Sequence, residues 1–188
     1  MKIAAYSYDE YVHLVKSFHG SLAPGLVIGG FIVDLALKNL PEGEFFDAIC
    51  ETSVCLPDAV QLLTPCTIGN GWLKVVDLGR FAVTLYEKEK GAGIRVYLDT
   101  DKLKAWPEFH AWYFKLKPKR EQDSEALLNQ IKEAGPSVLS MLSVQVKPEF
   151  TVKRRLGPTA VCPVCGESYP IRDGVSCLSC QGRTPYVE

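Results

Sequence analysis

The chain has 188 residues, with 21 lysines and arginines against 22 acidic residues and a formal net charge of −1. That balance lacks the strong basic excess that bulk phosphate binding requires. At 47% apolar and 23% charged residues it is ordinary globular material, long enough for one medium domain and one small one.

The start, Met1 to Glu10, lacks a continuous apolar core and turns acidic at once, so it does not read as a signal peptide. A first helix is expected over 9–18, with Asp9 as N-cap, Gly20 as stop, and Tyr11, Leu14, Val15 and Phe18 on one face. Pro24 suits the first turn of a second helix running to Leu40, where Pro41-Glu42-Gly43 ends it. Its first half is apolar all round and contains Gly29 and Gly30, which points to close packing against another backbone. Asp34 and Lys38 interrupt it, and no stretch approaches the roughly 18 apolar residues of a membrane span. A short strand over 46–52 leads to Cys55 in a loop, and Pro57-Asp58 opens a third helix through Leu63. After a turn-rich segment over 64–71 come strands over 72–76, 80–86 and 93–98, expected as a meander. Residues 100–116 are expected to be helical near their ends, with Pro107 breaking the pattern. Ser124 is expected to cap a helix through Glu133, 136–142 to form another helical turn, and 143–152 to be a last strand. The class is α+β.

Lys153-Arg154-Arg155-Leu156-Gly157-Pro158 marks a boundary. The organisation expected is a core domain over 1–152, a linker over 153–159 and a small domain over 160–188. In the last, Cys162-Pro163-Val164-Cys165 and Cys177-Leu178-Ser179-Cys180 are separated by eleven residues. Each pair can reach one ion from a single tight turn, and Gly166 and Gly182 permit the positive φ such turns use. Four thiolates with no histidine nearby suit one tetrahedral, structural Zn2+; the competing reading is two disulfides or free thiols. A segment this short needs such a staple. Seven cysteines, four in a metal pattern, fit a reducing interior, so the expected location is cytoplasmic, away from any membrane.

Two places in the core domain carry possible chemistry. His19 lies between two helices, ahead of a helix N-terminus that favours anions. Cys55-Leu56-Pro57-Asp58 also precedes a helix, whose field could depress the thiol pKa. Cys66 lies in the following turn, and Cys50 reads as a buried strand cysteine.

The stretch from Phe18 to about Leu98 resembles the FmdE family, whose members are associated with formylmethanofuran dehydrogenase. The shared residues are Phe18-His19-Gly20, Pro24-Gly25, Glu51, Cys55-Leu56-Pro57-Asp58-Ala59-Val60-Gln61, Thr64, Cys66-Thr67, Gly69, Gly71 and Asp77-Leu78-Gly79-Arg80. The four-cysteine module looks like the treble-clef finger that some members carry. The resemblance implies a mixed sheet flanked by helices, thioredoxin-like in outline, and a core zinc site built from a His-x-Cys motif and the downstream cysteines. Three departures stand out: Ser21 where the family has a second histidine, Ala23 where it has a cysteine, and Pro65 where it has a glycine. The core metal site is therefore expected to be empty or weak.

Three functional readings follow. One is an accessory or regulatory protein of a molybdenum or tungsten enzyme in anaerobic one-carbon metabolism, with that enzyme's subunits as partners and a cleft near His19, Cys55, Asp58, Gln61, Cys66 and Thr67. The second is a thiol-dependent enzyme with Cys55 as nucleophile, His19 as base, and Asp58 or Gln61 orienting. A nucleic-acid finger is the third; Arg172 is the sole base in 166–176, and little chain remains after Cys180 for a recognition helix. Trp106, Phe109, Trp112, Tyr113 and Phe114 form an aromatic cluster that is either core or the face of a homodimer.

Overall fold

The computed structural model describes residues 1–41, 45–152 and 157–187. The chain divides into two units, Met1–Val152 and Lys153–Glu188; the charge run at 153–156 and part of the helix-ending segment at 42–44 lie outside the described residues.

Two short antiparallel strands, β1 (Lys2–Ile3) and β2 (Tyr6–Ser7), feed helix α1 (Tyr8–His19). The N-cap is Ser7 rather than Asp9. The Glu10 amide donates to Ser7 Oγ (3.3 Å) and the Ser7 amide donates to the Glu10 carboxylate (2.7 Å), a reciprocal capping box. Gly20, at φ 80°, closes the helix in the left-handed region.

Helix α2 (Pro24–Lys38) is buried without a break from Gly25 to Asp34, as a helix apolar on all sides must be. The elements that follow are β3 (Phe46–Cys50), α3 (Leu56–Leu63), β4 (Leu73–Val75), β5 (Ala82–Glu87) and β6 (Ala92–Leu98). Then come α4 (Thr100–Leu103), α5 (Pro107–Tyr113), α6 (Ser124–Ala134), β7 (Leu139–Gln145) and the single turn α7 (Pro148–Thr151). Helix α2 packs on β5 and β6 and is surrounded by α1, α3 and α6.

The sheet is mixed, in the order β4-β3-β5-β6-β7. The expected three-strand meander is corrected here. β4 runs parallel to β3, on the opposite side of it from β5. A parallel pair needs a crossover, and α3 supplies it; β5 and β6 form a hairpin, and β7 adds antiparallel to β6 after the excursion through α4–α6. The register sorts side chains onto two faces. Ala48, Cys50, Val83, Leu85, Ile94 and Val96 join the main core. The other face carries buried Asp47, Thr84 and Tyr86, with Lys74 and Lys88 at 3.7 and 3.6 Å from the Asp47 carboxylate.

Three further expectations shift. Pro107 starts α5 at its first turn, where its missing N–H costs nothing. The cap of α6 is Asp123, whose carboxylate accepts from the Glu125 and Ala126 amides (3.1 and 2.9 Å). The last strand covers Leu139–Gln145, pairing along its whole length with β6, so 136–142 is not a helical turn beyond Val138. Among the described residues, no helix is long and apolar enough to cross a membrane.

Close approach to α2 depends on its glycines. A Cβ at Gly29 would lie 2.9 Å from that of Ala59, and one at Gly30 would overlap the Tyr11 ring. Tyr11 is fully buried and its hydroxyl donates to the Leu26 carbonyl (2.8 Å), so it has no room to retreat. Gly30→Ala gains up to about 1 kcal/mol of helix propensity but loses about 1–3 kcal/mol or more to overpacking. Thermal denaturation should show Tm lowered by about 2–6 °C, whereas Gly69→Ala, which meets only Thr67 Oγ1 at 4.0 Å, should melt with the wild type.

Candidate functional site

In the second unit, strands β8 (Thr159–Val161) and β9 (Ser168–Pro170) form an antiparallel hairpin whose turn carries Cys162 and Cys165. The turn is held by the Cys162 amide donating to the Glu167 carbonyl (2.8 Å) and the Gly166 amide donating to the Cys162 carbonyl (2.9 Å), with Gly166 at φ 78°. Cys177 and Cys180 approach from a second turn, closed by Gly182 at φ 85°. The four sulfurs lie within 4.8 Å of one another, Cys165 and Cys177 at 3.7 Å. Ligands about 2.3 Å from a tetrahedral zinc sit about 3.8 Å apart, so the set fits one Zn2+.

All seven cysteines are free thiols, which removes the disulfide reading. Amide donors from Cys177 and Cys165 bring the Cys162 thiol down to about 6. The neighbouring sulfurs, Cys177 foremost, push Cys180 up to about 12. Four thiolates at this spacing require a cation between them. Apart from Tyr169 and Cys162, little of this unit's apolar surface is buried among the described residues, so the metal carries much of its folding energy.

The core domain brings His19 and Asp58 together. His19 Nδ1 donates to Asp58 Oδ2 at 2.9 Å, joining the end of α1 to the first turn of α3. Cys55 is the N-cap of α3 at φ 58° and ψ −49°, the rare positive-φ form of γ-turn, closed by the Leu56 amide donating to the Val54 carbonyl (2.6 Å), a strained backbone that costs about 1–3 kcal/mol. It is pressed against α2: a Cβ at Gly25 would lie 2.9 Å from both Cys55 Cβ and Sγ. Burial, and then the Asp58 charge, raise the Cys55 thiol pKa, while Lys115 pulls it the other way. The direction is opposite to the depressed pKa expected from the helix N-terminus, with burial the largest cause.

Two adjoining cavities occupy this region. The larger, about 810 Å³, is lined by His19, Ser21, Ala23 and a group of lysines after α5. The smaller, about 390 Å³, is lined by Cys55, Gly25, Thr52, Phe81 and Tyr113. Trp112 and Lys115 belong to both walls, with Lys115 Nζ 5.0 Å from the Trp112 ring centroid. Beside the smaller cavity, buried Glu51 accepts from Arg95 Nε and Nη2 (2.6 and 2.8 Å) and pairs with Arg80 Nε (2.8 Å). The Arg95 hydrogen bonds hold the Glu51 carboxyl below its ordinary pKa against the opposing effect of burial. The Glu51 carbonyl also accepts from the Leu78 and Arg80 amides (3.0 and 3.2 Å), which fixes the loop at Gly79.

The remaining site candidates lie apart from these cavities. Cys66 is buried, its thiol donates to the Phe46 carbonyl (3.6 Å), and burial pushes it up to about 11. Gln61 accepts from the Ile68 amide (3.2 Å) and Thr67 Oγ1 from the Asn70 amide (3.1 Å), so both shape the turn before β4. Trp112, Lys115, Lys117 and Lys119 are cleft walls that the sequence does not point to, because its aromatic cluster reads equally well as core or dimer face. Phe109 is indeed buried and Trp106, Trp112 and Tyr113 pack on the core, while Phe114 is exposed. Arg95 also escapes a reading of the residues; a lone arginine in an otherwise apolar strand is the available signal.

Residues 18–146 match the family described as "FmdE, Molybdenum formylmethanofuran dehydrogenase operon". The chain belongs to the FmdE family. Its residues 153–187 match the FmdE treble clef zinc finger, in agreement with the four-sulfur geometry. A solved structure similar to this FmdE chain is a tungsten formylmethanofuran dehydrogenase FmdE-like protein from Syntrophus aciditrophicus. It is 54% identical, covers 100% of both chains and superposes with a TM-score of 0.91. A probable S-adenosyl-L-methionine-binding protein of Archaeoglobus fulgidus is 29% identical over 188 aligned positions, covering 89% of this chain and 51% of the relative. This chain therefore spans about half the length of that relative.

The finger makes a direct prediction. Elemental analysis of the purified protein should give one zinc per chain, and Cys177→Ser should lose it together with the protease resistance of the C-terminal unit.

Proposed function

We propose that this FmdE-family chain is an accessory or regulatory protein of a molybdenum or tungsten formylmethanofuran dehydrogenase system in anaerobic one-carbon metabolism. It works in a reducing cytoplasm by recognising a ligand at the His19–Asp58 cleft, and its finger is a zinc-held docking module. The observation that carries this reading is the presence of Ser21 and Ala23 in the cavity wall, one a poor zinc ligand and the other none, which leaves His19, oriented by Asp58 through Nδ1, as the one histidine or cysteine on that wall among the described residues. In this reading the family's core metal site is degraded and its cleft is retained for binding. The S-adenosyl-L-methionine binding in the description of the Archaeoglobus relative supports a small-molecule role for such a cleft. A homodimer through the exposed end of the aromatic segment, Phe114 and Leu116, belongs to the same reading. Affinity capture with the tagged full chain from an anaerobic lysate should return dehydrogenase subunits. Capture without any of them, or a second zinc retained in Cys177→Ser, overturns it.

One observation favours a thiol enzyme instead: Cys55 holds a strained γ-turn backbone at a cavity wall, and such strain gathers at functional sites. Against it, the raised pKa leaves less thiolate at neutral pH than a free cysteine has, and His19, although its Nδ1–Asp58 bond would suit a general base, lines the other cavity. Site-resolved alkylation by iodoacetamide should therefore be slower at Cys55 than at a model thiol at about pH 7.5, with the rate still climbing above the ordinary thiol value of 9.0. Reaction faster than the model thiol at neutral pH would bring the enzyme reading forward.

A further inference from the structure

On a chain with a net charge of −1, the larger cavity has an unusual lining. Lys115, Lys117, Lys119 and His19 contribute to its wall and, among the described residues, no aspartate or glutamate does, although the Asp58 carboxylate backs His19 at 2.9 Å and offsets any charge it carries. The three ammonium groups are not equally free. Lys117 is paired with Glu108 at 2.7 Å. Lys115 leans over the Trp112 ring, an attraction to the π face that leaves its N–H groups available. Lys119 has no ion-pair partner among the described residues. Hydroxyls of Ser21 and Ser124 and the amide of Gln122 add hydrogen-bonding groups, and Leu127, Leu128 and Trp112 add an apolar wall. Lys115 and Lys119 are exposed, so the positive potential they raise in the cleft is strongest at low salt, and about 810 Å³ lies within the range of small-molecule sites.

We infer that this cavity binds a small organic anion, a phosphate or carboxylate compound, clamped by Lys115 and Lys119 with its apolar part against Trp112. The inference rests on the reading of this cleft as a ligand site and names the ligand's charge. It also sets the chain apart from a sulfonium binder: S-adenosyl-L-methionine carries two positive groups against one carboxylate, the wrong balance for a wall of lysines.

Isothermal titration of the full, zinc-loaded chain tests this with three probes: inorganic pyrophosphate, citrate and S-adenosyl-L-methionine, at about 50 mM salt, where screening is weak. At least one anion should bind saturably, and the tighter of the two assigns phosphate or carboxylate chemistry. The Lys115→Gln/Lys119→Gln double variant should weaken that anion by about tenfold or more. Lys90→Gln/Lys147→Gln removes equal charge from a separate cavity beside β7 and should leave binding unchanged. Unaltered melting temperatures of both variants show that the fold is intact. Absence of saturable binding by both anions, equal loss in the two double variants, or tighter binding of S-adenosyl-L-methionine than of either anion would overturn the inference. A chain that binds an anion through Lys115 and Lys119 yet captures no dehydrogenase component keeps this ligand while the accessory reading falls.

Discussion

Helix α2 is enclosed on every side, and the contacts along its glycines set how near its neighbours come. Gly30 receives the Tyr11 ring of α1, Gly29 receives Ala59 and Leu56 of α3, and Gly25 receives Cys55. A side chain at any of these would have to displace groups that are themselves packed. The glycine that admits Cys55 therefore does two things at once. It lets the start of α3 touch α2, and it fixes a thiol at a cavity wall in a backbone conformation the residue would not choose alone. Site and core share one packing solution, so the cleft cannot be loosened without disturbing the centre of the domain.

Around that centre, polar groups hold the loops that α2 does not reach. Glu51 ties two arginines and two amides into one node, fixing the segment from Asp77 to Arg80 next to Thr52. Breaking such a buried pair by removing one partner costs more than the pair's net contribution, because the remaining charge stays desolvated. Presence of both Arg80 and Arg95 gives the carboxylate a reserve partner. The finger solves the opposite problem. With so little apolar surface to bury, it replaces a core with a single metal-centred node.

Much of this was legible in the residues, and the failures have identifiable causes. Helix α2 and its tight packing follow from an apolar stretch with paired glycines, and the two Cys-x-x-Cys turns from ligand spacing. Strand existence was readable from β-branched and aromatic stretches, but partner choice was not. Nothing local in Leu73-Lys74-Val75 says that it pairs with β3 across α3 instead of with β5. Caps were misplaced by one or two positions because Ser7 and Asp123 compete with equally plausible neighbours, Asp9 and Ser124. The His19–Asp58 bond joins residues 39 positions apart, and no periodicity reports such a distance. The lysines after α5 look like a solvated charge run in one dimension and become a cavity wall only when α1, α2 and α6 close the other sides.

The wall that Trp112 and Lys115 share has a consequence for redox chemistry. Lys115 is the positive charge that favours the thiolate form of Cys55, against both burial and Asp58. Any negative charge that settles on Lys115 from the larger cavity cancels that influence across the wall. The Cys55 thiol then ionises still less readily, and oxidants act on thiolates rather than thiols. An anion in one cavity is thereby felt at the sulfur in the other, without any part of the shared wall having to move.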